Sequence, residues 1–267
     1  MFALSLLWWS VGNLTVSAAE PNYRFVLEPH STFFSMDNHL PHIVDPQVFI
    51  ADRTAAAGIG PQQIMHVAGY RPAEPGKDSA ASALYTAQGS PLGITLGKWL
   101  SAAGSGTVVC NGKGAVVTAQ LRGLIANGHY QMTRLQFTAA GPKRTPLGQS
   151  AGAGSTFIAS PRGTEHFSAQ IPFCPAPTEG VVVAYVSDGT FHGAAMGEIG
   201  VNLHNQLAGR LVSVSATPEA LPHTGGGGLA RLEQELVRFT IASAGALVIF
   251  GALGLVAIRR RSWLGRN

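Results

Sequence analysis

Charge is scarce in this chain. Only 12% of its 267 residues are Asp, Glu, Lys or Arg, and two stretches, 1–19 and 239–258, carry none. Cysteine is scarcer: Cys110 and Cys174 are the only two. Neither sits in a C-x-x-C pair or near a histidine at metal-ligand spacing, which argues against a zinc site or redox dithiol. No Glu/Asp pair stands out as an acid–base couple, and Gly112-Lys113-Gly114 is too short for a phosphate loop. Gly104-Ser105-Gly106 lacks the spacing of a nucleophile elbow, so a hydrolase of that type is not expected. A blue-copper centre would need Cys and His close together near a Met. Cys174 runs instead into Pro175-Ala176-Pro177, and Met196 has no Cys beside it.

The charge that is present is unevenly placed. Residues 20–224 hold twelve basic and twelve acidic side chains and are neutral, whereas six Arg against two Glu follow from Gly225 onward. The formal +4 therefore belongs to the C-terminal tail, and the body offers no basic groove for nucleic acid. The uncharged run Phe239–Ile258 is 20 residues long. At about 1.5 Å per helical residue it reaches about 30 Å, the thickness of a bilayer's hydrocarbon core, which predicts a transmembrane helix. Arg259, Arg260 and Arg261 directly after it hold that end in the cytoplasm and put the N-terminal side outside. At the other end, the apolar run Phe2–Val11 followed by Ser17-Ala18-Ala19 reads as a signal peptide over 1–19, cleaved before Glu20. The body is then an extracellular domain over 20–215.

Between body and span, residues 216–228 form a Pro/Gly linker containing Leu221-Pro222-His223-Thr224-Gly225, and a juxtamembrane helix is expected over 229–238. A pentapeptide of this type, then a hydrophobic span and a basic tail, resembles the sorting signal of LPxTG-type cell-wall-anchored Gram-positive surface proteins. The resemblance covers the last 47 residues and leaves the body unassigned. It implies cleavage between Thr224 and Gly225 by a sortase-type transpeptidase, with Leu221 and Pro222 as recognition residues and a cell-wall precursor as acceptor. An extended, Pro-bent peptide must enter the enzyme's groove, so it has to lie outside a folded domain. The thirteen-residue spacer 226–238 is longer than the family's usual one. The alternative is a glycine-rich stalk on an uncleaved single-span membrane protein.

Thirty-three Gly and 16 Pro with so little charge describe many short strands joined by tight turns. Candidate strands are Tyr23–Leu27, Val48–Ala51, Ala83–Thr86, Gly106–Cys110, Ala115–Leu121, His129–Phe137, Ser155–Ala159, Glu165–Ile171, Val181–Val186 and Leu203–Ser213. Asn111-Gly112-Lys113-Gly114 joins two of them as a hairpin, since Asn-Gly readily supplies positive φ. Asn127-Gly128 and Gly163-Thr164 mark further turns. One short helix is predicted from Leu96 to Ala103, with Thr95 as N-cap and Leu96, Trp99, Leu100 and Ala103 on one face. Ala139–Gly154 and Arg71–Ser79 read as surface loops, and residues 20–80 as a wrap with fewer strands. The expected fold is mainly β: an antiparallel β-sandwich or jelly-roll-like ectodomain with one short helix, plus the C-terminal span. In an exported chain Cys110 and Cys174 are most simply a disulfide, two buried free thiols being the other reading.

No catalytic constellation assembles from the sequence, which favours a non-catalytic structural, adhesive or ligand-binding module whose ligand is unknown, with no cofactor. The densest polar cluster is Ser187-Asp188-Gly189-Thr190-Phe191-His192, with Asn202, His204 and Asn205 downstream. Imidazole and carboxylate suit a divalent ion, so Asp188, His192 and His204 are the candidate metal ligands, and the alternative function is a metal-binding extracellular protein or enzyme built on them. The plainer reading is an Asp-Gly turn with surface histidines. His39 and His42 form a second pair in a loop-like segment.

Overall fold

A computed structural model of the chain describes residues 21–148 and 154–214. The chain divides between Thr217 and Pro218, and all described residues belong to the first part. The expected signal peptide, the linker with Leu221–Gly225, the juxtamembrane helix, the span 239–258 and Arg259–Arg261 lie outside the described residues. Among the described residues no helix is long and apolar enough to cross a membrane.

The described part is mainly β, with antiparallel ladders. Strand β1 (Asn22–Pro29) leads into helix α1 (His30–Asp37), then β2 (Asp45–Ala51), β3 (Gly58–Ile59), β4 (Met65–His66), β5 (Tyr70–Ala73), β6 (Ala83–Tyr85) and β7 (Pro91–Thr95). Helix α2 (Leu96–Leu100) follows, then β8 (Ala103–Cys110), β9 (Ala115–Arg122), β10 (His129–Thr138) and β11 (Gly141–Pro146). The chain continues through β12 (Thr156–Ile158), β13 (Glu165–Ile171), β14 (Gly180–Val186), β15 (Leu203–Arg210) and β16 (Val212–Val214). Ten strands share one sheet in the order β11-β10-β14-β15-β1-β8-β9-β13, with β12 also on β10 and β16 on β1. A smaller sheet runs β5-β2-β6-β7.

Strand β1 is the pivot of the large sheet. Its residues 22–27 pair with β8, while Glu28 and Pro29 pair with β15. On the β8-β9-β13 side, inward and outward residues alternate as period-2 strands with one wet face should. Val117, Ala119, Leu121, Phe167 and Ile171 point into the core, while Thr118, Gln120, Ser168 and Gln170 face water. The hairpin at 111–114 forms as expected, with Gly112 at φ 67° and Cys110 opposite Ala115. In the turn before β10 it is Asn127, at φ 55°, that takes the left-handed conformation. Gly106 is dictated by packing: a Cβ there would lie 2.1 Å from the Thr118 carbonyl and 2.3 Å from the Phe25 ring.

Cys110 and Cys174 are disulfide-bonded, their Cα atoms 5.5 Å apart. The bond ties the end of β8 to the chain leaving β13, across the intervening β9. In the chain-entropy model, closing a loop of that length stabilises the fold by about 4 kcal/mol.

Several local expectations are corrected by tertiary pairing. Thr95 does cap α2, its hydroxyl accepting the Lys98 N–H at 3.3 Å. The helix stops at Leu100, because Ala103 pairs with Arg122 as the first residue of β8. Six of the sixteen residues expected to form the loop 139–154 are the edge strand β11, hydrogen-bonded to β10. Pro142 and Pro146 gave it the composition of a loop, but an edge strand tolerates residues without an N–H. The presumed strand 203–213 breaks at Leu211, whose N–H goes to the Glu179 carbonyl. Strand Tyr70–Ala73 takes up the first three residues of the expected loop 71–79, and Arg71 is clamped by Asp52 and Asp78. Helix α1 has no apolar stripe: its buried residues are His30, Ser31 and Ser35.

Candidate functional site

The three predicted metal ligands do not converge. Asp188 and His192 meet on the surface: Asp188 Oδ2 lies 2.9 Å from His192 Nε2 and accepts from Asn202 Nδ2 at 2.9 Å. Partial burial opposes ionisation of Asp188, but hydrogen bonds from Thr190, His192 and Asn202 outweigh it and hold the carboxyl below its ordinary range. His204 lies inside, fully buried on β15. Its Nδ1 faces the Gln47 carbonyl at 2.8 Å, so Nδ1 carries the proton and Nε2 accepts from the Ser187 hydroxyl at 3.2 Å. Among the described residues no three His, Cys, Asp or Glu side chains are grouped to hold a metal. The Asp188-Gly189 turn, with Asp188 accepting the Thr190 N–H, accounts for the segment. His39 and His42 are exposed, and His42 lies 3.7 Å from the Glu74 carboxylate.

Ser187 and His204, with a carbonyl orienting the imidazole, have the outline of a nucleophile–base pair. Burial pushes the His204 pKa down to about 4, against the pull of the Gln47 and Val201 carbonyls. That makes it a weak base near neutral pH, and neither of the two clefts described below is lined by Ser187 or His204. The G-x-S-x-G pattern does occur once, at Gly148-Gln149-Ser150-Ala151-Gly152, so the wrong spacing at Gly104-Ser105-Gly106 does not by itself exclude a hydrolase of that type. Residues 149–153 themselves lie outside the described residues.

A layer of buried polar side chains runs under β2 and α1, and none of it showed in the sequence pattern. Asp45 is fully buried; its carboxylate accepts the Trp99 indole N–H at 2.8 Å and the Gln47 N–H at 3.0 Å. Burial raises its pKa to about 6 despite those bonds. Gln206 accepts from the Tyr130 hydroxyl and donates to the Trp99 carbonyl. Gln47 takes the Asn205 N–H on Oε1 and donates to Gln62 Oε1, both at 2.6 Å.

This layer opens into a cleft of about 500 Å³, within the usual range for small-molecule sites. It lies between α1, the 3₁₀ turn Pro61–Gln63, the β10–β11 hairpin and β14–β15. Phe33, Phe34, Ile64, Leu135, Phe137, Val182 and Ile199 supply apolar wall, and His30, Gln47, Gln62, Arg144 and Asn205 supply polar groups. Gln62 and Gln63 both sit at φ 59°, a left-handed conformation that costs non-glycine residues on the order of 1 kcal/mol or more each. Asn205 accepts from Arg144 through Oδ1 and turns Nδ2 toward His30 Nε2 at 3.4 Å. With Nε2 the acceptor, neutral His30 carries its proton on Nδ1, which is buried and has no partner among the described residues. Burial, with the Arg144 charge nearby, depresses its pKa to about 3. A second groove, of about 630 Å³, shares Phe33 and Asp37 with the first and is lined further by Val26, Met36, Val212 and Arg210, which pairs with Asp37.

Of the polar residues of this cleft only Asn205 stands near the cluster singled out by sequence. His30 and Gln62 carried no signal, and Arg144 sat in what read as a loop. The two prolines flanking Arg144 closely on an edge strand were the one available clue. Comparison with protein families, curated proteins and solved structures finds no match to this chain.

Proposed function

We propose that this is an exported, surface-displayed, non-catalytic binding domain held at the cell envelope by its C-terminal segment. The observation that carries this reading is the Cys110–Cys174 disulfide, since such bonds persist in oxidising compartments and are rare in reducing ones. The sequence order of apolar leader, neutral body, Leu221–Gly225, uncharged span and Arg259–Arg261 supports the same placement. A sortase-type transpeptidase cleaves between Thr224 and Gly225 and transfers the domain to a cell-wall precursor amine. The β body is a sandwich whose two layers are the β8-β9-β13 side and the β10-β14-β15 side, bridged by β1. Support for that comes from one hydrophobic cluster containing Phe25, Val117 and Phe167 together with Tyr130, Met132 and Val183. The Phe157 and Phe167 rings, from strands far apart in the sheet order, lie 5.8 Å apart.

The ligand site is the cleft beside α1. It has apolar walls and a few convergent polar groups, the composition of a binding pocket, and the described residues around it carry hydrogen bonds without a nucleophile and base poised over it. The test is expression of the full chain in a Gram-positive host, muralytic release and mass spectrometry. A C-terminus at Thr224 bearing a wall-derived amine is the expected result. A tail intact to Asn267 in the membrane fraction would instead make Leu221–Gly225 a stalk on an uncleaved single-span protein.

A further inference from the structure

Three arginines among the described residues are partly buried: Arg71, Arg134 and Arg144. Arg71 is met by Asp52, Glu74 and Asp78, and Arg134 by Glu179. Among the described residues Arg144 has only the neutral amide oxygen of Asn205. Asp37, the acidic residue that lines the same cleft, is already paired with Arg210. A guanidinium withdrawn from water without a counter-charge is costly, and proteins normally place a carboxylate beside it. The loss of hydration without compensation also lowers the pKa of the guanidinium to about 10. Beside it stands His30, whose Nδ1–H is a second donor with no acceptor.

The surroundings narrow what could supply the missing charge. Most of the cleft wall is apolar, with Phe33, Phe34, Leu135, Phe137, Val182 and Ile199 around a single uncompensated cation. One positive charge neutralises one negative charge. A phosphate dianion would leave an excess charge against these walls, while a carboxylate matches both the charge and the planar fork of a guanidinium. The remaining volume suits an apolar or aromatic body. Gln47 and Gln62, tied to each other at 2.6 Å, bound the cleft near that group and hold the left-handed 62–63 turn in place.

We propose that the cleft binds a small amphipathic carboxylic acid, its carboxylate paired with Arg144 and its apolar body lying against the phenylalanines of α1 and the β10–β14 wall. This rests on the binding-domain reading above and deepens it by naming the ligand class. It requires no covalent step: the acid binds as its anion and leaves unchanged.

The test is titration of the full chain in mild detergent with 3-phenylpropionate, read by calorimetry and saturation-transfer NMR. Its comparison probes are 3-phenylpropionamide, phenyl phosphate and inorganic phosphate. Saturable binding of the acid is expected, with the amide at least about tenfold weaker, the scale of a lost charge-assisted hydrogen bond. Arg144→Gln should weaken the acid by a similar factor and leave the amide unchanged. Arg122→Gln, which removes an exposed cation on β9, should change neither. Retained urea midpoints and circular dichroism would show that both variants fold. Equal binding of acid and amide, preference for phenyl phosphate or phosphate, an unaffected Arg144→Gln, or no saturable binding would each overturn the proposal. Conversion of the amide to the acid during the titration would sink the non-catalytic reading instead, and would leave the carboxylate site standing.

Discussion

The two sides of the large sheet are built on opposite terms. Strands β9 and β13 keep one face dry and one face wet, so every second residue is buried. Strands β14 and β15 are buried along nearly their whole length, because the core lies on one side and β2 and α1 lie on the other. The first side is stabilised by apolar burial and by the disulfide. The second buries His204, Asn205, Gln206, Gln131 and Thr133 as well, and all of these side chains but that of Thr133 find hydrogen-bond partners. A sheet with one wet face can tolerate careless outward residues. A sheet covered on both faces cannot, since an unpaired buried polar group costs roughly 1–3 kcal/mol. The cleft lies on this second side, where polar groups are already withdrawn from water and so interact strongly with whatever enters.

The largest effect should come from the first side's covalent staple. The double substitution Cys110→Ser and Cys174→Ser should lower unfolding free energy by about 4 kcal/mol, measured by urea denaturation against the oxidised protein. A change below about 1 kcal/mol would show that the staple is redundant with packing. On the second side, Arg134→Met strands the buried Glu179 carboxylate, and about 3 kcal/mol of destabilisation is expected. Restoring neutrality with Glu179→Leu in the same chain should recover much of it. If the double variant is no better than the single one, the ion pair is not the cause.

Acid should weaken the second side. His30 and His204 have folded-state pKa values depressed to about 3 and about 4, below the ordinary 6.5, so the unfolded chain takes up their protons first. Their contribution is whole above about pH 6.5 and is lost as pH falls toward 4. Asp45 works the other way: its pKa is raised to about 6, the folded state holds the proton, and acidification from 6 to 4 favours folding. Two large histidine shifts outweigh one smaller carboxyl shift, at about 1.4 kcal/mol per pKa unit. The urea midpoint should therefore fall between pH 7 and 5, and Asp45→Asn should steepen the fall. A midpoint that rises on acidification would refute the assignment of both histidines as buried neutral groups.

A matched pair of threonines gives the smallest and sharpest contrast. Thr118 is exposed on β9, its hydroxyl 2.9 Å from that of Thr107, and Thr118→Val should change stability by no more than about 0.5 kcal/mol. Thr133 on β10 is fully buried and its hydroxyl has no partner among the described residues. Thr133→Val should stabilise the fold by about 1 kcal/mol, because it removes an unsatisfied polar atom at nearly constant shape. Equal effects at the two positions would mean that the two sides do not differ as described.

What the sequence by itself determined was the architecture that follows from local and periodic signals. Alternation in Ala115–Leu121 and Glu165–Ile171 announced strands with one wet face, Asn111–Gly114 announced their hairpin, and two cysteines allowed only one pairing. Thr95 and Trp99 marked α2, though its end was decided when β8 claimed Ala103. The tertiary structure alone decided the polar layer and the cleft. Where both faces of a strand are covered the period-2 pattern disappears, and a residue such as Asn205 or His204 looks the same in sequence whether it meets water or a buried partner. Helix α1 buries serines and a histidine, so it had no apolar stripe to find. Arg144 read as loop because β11 is an edge strand that tolerates prolines. The site's chemistry depends on which polar groups lose their water and which find partners. Those are properties of packing between elements distant in the chain, from His30 to Asn205, and no local pattern carries them.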